Sequence, residues 1–405
     1  MDPLDVMANI ERATPYYQAI FSADAQEVIG YEVLGRFQME NGDVISLGPF
    51  FRDKTVPSEY LLEVDKIIIQ KALNYFTEQN CMLKVFINQS ADLLLEDQGE
   101  SLLELLLTYV PKGLRLDNIV IELDGLSSKE ENEHLHHIFS YYKTYGIQIS
   151  VANIGDAGGN MDKIGRLSPN IIKVNLEILR QSYEVAAHQD ILHSLAVLSR
   201  KIGATLLYER MEASFQLQYA WRNGGRYYQG YYLHKPSPVF IENDFAKKVL
   251  KEKFQQFIRY EKRKLQALHQ FTARLQNLIQ PLLPKKIEME ELDEWLLSIA
   301  EKISEISFRM YVCDENGFQL SSNMVKDEDC WTAIESSIGK NWSWRPYFLE
   351  HVMKMSMERK GILSDIYSDI DTGETVRTYS CLITEGKFLY IDIAYNYLYE
   401  NQDLL

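Results

Sequence analysis

Up to about residue 240 the chain repeats a short apolar strand followed by an amphipathic helix, about seven or eight times, and six of those strands end in a polar side chain. That count predicts a closed, TIM-type (β/α)8 barrel with its polar strand ends gathered on one face. From about 244 to 280 there is no glycine or proline, and apolar residues recur three and four apart, which predicts one long helix. Beyond it, alternating strand patterns around the turns ENG and TGE predict a smaller α+β domain. The expected boundaries are 1–243 for the barrel, 244–287 for the connecting helix and 288–405 for the last domain.

At 405 residues the chain is long enough for two or three domains with cores of their own. Its apolar share of 46% and charged share of 25% are those of a soluble globular protein. A net charge of −16 argues against a nucleic-acid polymer as the main partner, while leaving room for a small phosphate ligand in a locally positive cleft. Cys81, Cys313, Cys330 and Cys381 form no CxxC pair and read as isolated thiols of a reducing compartment. No apolar run is long enough to span a membrane, and the acidic start MDPLDVMANIER lacks a signal-peptide core, so the expected address is cytoplasmic.

The elements follow in order. A strand pair covers 16–37 and ends in YEVLGRF, where alternation puts Glu32, Leu34 and Arg36 on one face. The helix pattern EYLLEVDKIIIQKALNYF comes next, then the strand MLKVFIN, ending at Asn88. A leucine-rich helix over 91–110 stops at Pro111, and the strand NIVIEL carries Glu122 near its end. A helix over 128–145 leads to the strand IQISVAN, a glycine-rich turn, and NIIKVN with Lys173 near its end. A helix around 191–202 precedes ATLLYE, which ends at Glu209, and RYYQGY holds Gln229. Six polar strand ends in succession are hard to obtain from unrelated surface residues. Carboxylates, amides, a lysine and a guanidinium on one barrel face suit a site that holds a hard cation and an anion together.

These segments resemble the EAL domain of bacterial cyclic di-GMP phosphodiesterases, over some 220 residues and in the right order. YEVLGRF stands where that family has EALLR, Asn88 matches its metal-binding asparagine, and Glu122 in IELD matches the first glutamate of ELTE. Lys173 matches the lysine of KID, Glu209 and Glu212 the glutamates of AEGVE, and Gln229 the glutamine of QGY. The resemblance implies cyclic di-GMP as partner and divalent cations of the magnesium, manganese or calcium kind as cofactor, held by Glu32, Asn88 and Glu122, with Asn153 as a further oxygen. It implies that Arg36 holds a phosphate or guanine edge, that Leu34 and Tyr231 border the ligand, and that Lys173 and Glu209 serve the chemistry, Lys173 orienting the attacking water.

The departures point the other way. Where the family has DDFG, with two aspartates that complete the metal pair, this chain reads Ala152-Asn153-Ile154-Gly155; the aspartate of KID is Asn175 and the last glutamate of ELTE is Gly125. Two readings stand: a cyclic di-GMP-binding signalling protein with a degenerate metal site and little or no phosphodiesterase activity, or an active phosphodiesterase regulated by its C-terminal domain. HLHH at 134–137 reads as a solvated helix face, and the tyrosines of RYYQGYY as barrel filling.

The long helix carries Lys247, Lys248, Lys251, Lys253, Arg259, Lys262, Arg263 and Lys264 on one face, a basic stripe that reads as solvated or paired with acidic protein. Its apolar stripe predicts a homodimer, with a downstream protein partner not specified. The C-terminal domain resembles PAS-like sensor domains of the Cache type, which would place Arg345 and Tyr347 at a small-ligand pocket with Asp392 beyond it.

Overall fold

The computed structural model describes residues 2–124, 129–152, 164–165, 167–177, 185–327, 330–345, 348–370 and 372–404. The chain divides into two compact units, Met1–Gln256 and Phe257–Leu405. Asn153, Gly125, the segment 154–160 and Tyr347, all singled out in the sequence, lie outside the described residues.

The first unit is built on one sheet. Its strands are β1 (Ala13–Ser22), β2 (Val28–Gln38), β3 (Val44–Ser46), β4 (Lys84–Ser90), β5 (Ile119–Asp124), β6 (Gln148–Val151), β7 (Ile171–Asn175), β8 (Thr205–Glu209) and β9 (Tyr227–Tyr228). The order is β1-β9-β8-β7-β6-β5-β4-β2-β3, and β1 also pairs with β2, so eight strands close into a barrel and β3 lies outside the ring. The closure departs from an all-parallel barrel at one strand. A turn of a few residues joins β1 to β2, too short for a parallel crossover, so β1 runs antiparallel to both its neighbours. The other pairs, from β2–β4 round to β8–β9, are parallel and have helices between them, including Ser58–Glu78 and Val185–Ile202.

The alternation read from YEVLGRF has a physical anchor on its outer side. Tyr31 is buried against Phe240, with ring centroids 4.4 Å apart, and its hydroxyl donates to the Ile241 carbonyl at 3.1 Å. Because successive side chains alternate across a strand, seating Tyr31 outward turns Glu32 inward. Inside, Ile20, Phe86, Val120, Ile171 and Leu207 form an apolar floor. Gly30 lies in this region because β2 and β4 approach closely: a Cβ there would sit 2.6 Å from the Lys84 carbonyl oxygen. Gly30→Val is expected to cost about 1–3 kcal/mol through overpacking, read as a lower urea midpoint at unchanged m; a midpoint equal to wild type contradicts the close approach.

The helix Lys247–Ile279 crosses the boundary between the units in sequence. Its last part is no mere spacer, since Phe271, Leu275 and Ile279 are core residues of the second unit, together with Leu296, Ile299, Met310 and Ile391. That unit is an antiparallel sheet in which β10 (Ser307–Asp314) and β12 (Lys387–Ile393) are central, with β11 (Thr375–Thr384) beside β12. A second apolar cluster of Tyr311, Phe348, Val352, Met355 and Tyr390 completes the packing.

Arg309 is buried in this unit between two aspartates. Its Nε donates to Asp392 at 2.6 Å, and its other nitrogens donate to Asp369. Asp392 also accepts from Thr378 at 2.7 Å. Asp392 is thus committed to holding strands together and does not line the nearby pocket, whose walls include Tyr311, Trp342, Arg345 and His351. Arg345 lies over the Trp342 ring at 4.8 Å.

Candidate functional site

A polar layer sits directly above the apolar floor of the barrel. Each member comes from the position that the pleat turns inward: Gln18 from β1, Glu32 from β2, Asn88 from β4, Glu122 from β5, Ser150 from β6, Lys173 from β7 and Glu209 from β8. Gln229 follows β9 directly, its backbone N–H held by the Tyr208 carbonyl at 2.9 Å. Strand register sets them side by side, with Gln18 opposite Glu32, Asn88 opposite Glu122 and Glu122 opposite Ser150. The six polar strand ends named from the sequence therefore converge.

Lys173 is the centre of the layer and has no exposed surface. Its ammonium donates to Glu32 Oε2 at 3.0 Å and to Glu122 Oε1 and Oε2 at 2.7 and 2.8 Å, and lies 3.4 Å from Glu209 Oε2. Asn88 Nδ2 donates to Glu32 Oε1 at 2.8 Å, and Gln229 Nε2 donates to Glu32 Oε2 at 2.6 Å and to Gln18 Oε1 at 3.2 Å. Burial works to raise the Glu32 carboxyl, but the Lys173 ammonium and the two amide donors outweigh it and hold it below the usual range. Burial raises Glu122 well above that range; Lys173 opposes the rise, while Glu32 and Glu209 add to it. Burial would lower Lys173, but the three carboxylates outweigh it and keep the ammonium charged to high pH.

The remaining candidates lie toward the mouth. Arg36 stands with its guanidinium 5.8 Å from the Tyr16 ring and donates to the Gly35 carbonyl at 2.9 Å. Burial lowers it, partly offset by Tyr231, Tyr16 and Glu32 nearby. Leu34 is half-buried beside it, Tyr231 is exposed with Lys235 over its ring at 5.8 Å, and Glu212 is exposed outside the polar layer. Two members of the layer, Gln18 and Ser150, escaped sequence reasoning. Gln18 becomes visible only when 16–37 is folded back as a hairpin, which places it across from Glu32. Asp65, on the helix Ser58–Glu78, was also missed; it accepts from Gln89, next to Asn88, at 2.6 Å, and burial pushes its carboxyl up to about 7.

The donor set fits one hard cation. Glu32, Asn88 and Glu122 offer carboxylate and amide oxygens, and Gln229 Oε1 is buried in the same layer with no hydrogen-bond partner. Ala152 offers no second set: it is 8% exposed, its N–H is bound to the Leu123 carbonyl at 3.1 Å, and its methyl group presents no ligand atom. The chemistry available to this arrangement is charge neutralisation and anion binding at the barrel mouth.

Comparison with known proteins agrees with this geometry. Residues 5–236 match the EAL domain model, and residues 240–405 match a model described as an EAL-domain associated signalling protein domain. The chain is 47% identical, over the whole of both chains, to the uncharacterized EAL-domain containing protein YkuI of Bacillus subtilis (strain 168). The crystal structure of that protein, in complex with substrate c-di-GMP and calcium, superposes over the full length of both chains with a TM-score of 0.93. A cyclic di-GMP phosphodiesterase of Vibrio parahaemolyticus, TpdA, is 21% identical over 53% of this chain and 35% of its own. The PaMucR phosphodiesterase in its c-di-GMP complex shares the fold, with a TM-score of 0.52 at 16% identity over 59% of this chain and 98% of its own. With eight described strands closed into the barrel and both parts of the chain matched, the protein belongs to the EAL-domain family.

Proposed function

We propose that this chain binds cyclic di-GMP at the barrel mouth together with one divalent cation, and hydrolyses the ligand slowly or not at all. The observation that carries the reading is Ala152 beside an otherwise intact polar layer. Glu32, Asn88 and Glu122 would hold a cation of the magnesium, manganese or calcium kind, which supplies neutralisation of a bound phosphodiester. Arg36 offers a fixed donor fork to a phosphate or a guanine edge, and Leu34 and Tyr231 offer apolar and aromatic surface next to it. Lys173 and Glu209 retain the residue types that would position a water. The full-length relative solved with c-di-GMP and calcium supports ligand and cation alike. In this reading the second unit is a sensor-like partner to the barrel, and the protein signals as a receptor in the cytoplasm, as a homodimer that contacts a downstream protein.

The test is calorimetry with cyclic di-GMP in calcium or manganese, alongside a chromatographic assay for pGpG. Saturable binding without appreciable product is expected. Rapid appearance of pGpG favours the second reading, an active phosphodiesterase, for which the retained Glu32, Asn88, Glu122 and Lys173 speak; absence of binding in every cation removes both.

A pH dependence follows from Glu122. A proton on its raised carboxyl must leave before its oxygens serve a cation. Cation affinity therefore rises as pH increases above the ordinary glutamate value of 4.5 and levels off once Glu122 is ionised. Calcium titrations at several pH values, in buffers of different ionisation enthalpy, count the released proton; a flat affinity with no proton release contradicts the assignment.

A further inference from the structure

We propose that Lys173 holds the place of the cation in the metal-free protein, and that a divalent ion enters only when its ammonium gives up Glu122 and moves onto Glu209. The inference rests on the cation site proposed above and concerns how that site is kept in the absence of metal.

Three observations carry it. The first is saturation: Glu122 accepts from Lys173 through both oxygens, and Glu32 accepts from Asn88 through one and from Lys173 and Gln229 through the other. Every carboxylate oxygen that a cation would need is already engaged. The second is arrangement. Among the described residues no group of three acidic, histidine or cysteine side chains is placed to hold a metal ion. Glu32, Glu122 and Glu209 do come together, but around an ammonium rather than around a space. The third is confinement: Lys173 has no exposed surface, so its charge cannot retreat into water when another cation arrives. Among the described residues its one remaining carboxylate partner is Glu209, whose Oε2 makes the longest of its three carboxylate contacts at 3.4 Å and which is the most exposed of the three glutamates at 14%.

Charge fits the exchange. Once Glu122 has given up its proton, as cation binding requires, three carboxylates and one ammonium leave the layer at −2, which one divalent ion cancels. Asn88 now points its NH2 group at Glu32, so offering its oxygen to the ion also requires its amide to turn. Entry is therefore a concerted rearrangement of Lys173 and Asn88. Nothing at position 152 draws the ammonium aside, because Ala152 carries no acceptor on its side chain.

The test is calorimetry of calcium alone, without cyclic di-GMP, on the full chain and on Lys173→Met. Removing the ammonium is expected to tighten calcium binding at least tenfold, and to make the melting temperature far more dependent on calcium against EDTA than in wild type. Equal or weaker calcium binding by Lys173→Met overturns the proposal. Should that variant fold only with calcium present, the expected dependence has been met; should it fold in neither condition, Glu209→Gln decides. That change removes the acceptor for the displaced ammonium, and calcium affinity is expected to fall at least tenfold; an unchanged affinity overturns the proposal. Binding of cyclic di-GMP to wild type in calcium is measured in parallel. Its absence, with calcium binding still gained in Lys173→Met, removes the proposed function and leaves this inference standing; its presence, without that gain, removes this inference alone.

Discussion

Replacing Ala152 and Asn153 together by aspartate is expected to raise cyclic di-GMP hydrolysis by at least 10- to 100-fold, on the order of what a misplaced partner of a metal already costs. Ala152 continues β6 alongside Leu123, and by the alternation of the strand it shares the inward face with Ser150, next to Glu122. A carboxylate placed there adds charged oxygen beside the layer and gives the Lys173 ammonium an alternative partner. Product formation in manganese, followed as pGpG by chromatography, measures the gain. If the double variant is as slow as wild type while still binding cyclic di-GMP, then Asn175 or the Gly125 segment is at fault, and Asn175→Asp is the next change to add. If wild type is already fast, the degenerate reading is lost, and the variant then reports only on affinity.

Arg309→Met is expected to destabilise the second unit by about 3–5 kcal/mol, because it leaves two buried carboxylates without their counter-charge. The side chains of Asp369 and Asp392 are 2% and 0% exposed, and both face the same guanidinium. Urea unfolding of the full chain, followed by the tryptophans of the second unit, reads the loss. Replacing Asp369 and Asp392 by asparagine in the same background should recover most of it, since the cost lies in unpaired charge rather than in lost packing. An Arg309→Met variant as stable as wild type shows that the two aspartates find protons or water instead. The acid limb has a definite sign. Burial would raise Asp369, but Arg309 outweighs it and holds its carboxyl below the ordinary value of 3.8. The stability it contributes is present above that value and is lost as pH falls through the depressed one.

Much of the fold was legible because strand and helix periods differ so plainly in the first 240 residues, and because inward positions recur at strand ends. Glu32, Asn88, Glu122, Lys173, Glu209 and Gln229 could be named from that pattern, and they do meet. What a linear pattern does not carry is partnership. Gln18 carries no signal of its own in the sequence, and only the antiparallel pairing of β1 with β2 sets it opposite Glu32. Lys173 was legible as a strand end, yet its position at the centre of three carboxylates depends on the barrel's closure, which brings β2, β5 and β8 around β7. The same limit applies to Asp392, which the resemblance puts beyond a small-ligand pocket and whose bonds to Arg309 and Thr378 only the folded sheet reveals. The helix over 244–280 was legible from its period, but the depth to which its later residues are buried was not.

Those later residues decide where the molecule can be cut. Leu275 is 0% and Ile279 1% exposed, and both belong to the core that Leu296 and Ile391 complete. A fragment that starts at residue 288 would lose these side chains and turn a greasy trench to solvent, inviting aggregation during expression. One that starts near Phe257 keeps them. For cloning, crystallisation or domain exchange, the natural seam therefore runs inside the first third of the helix, after Gln256, rather than at its end.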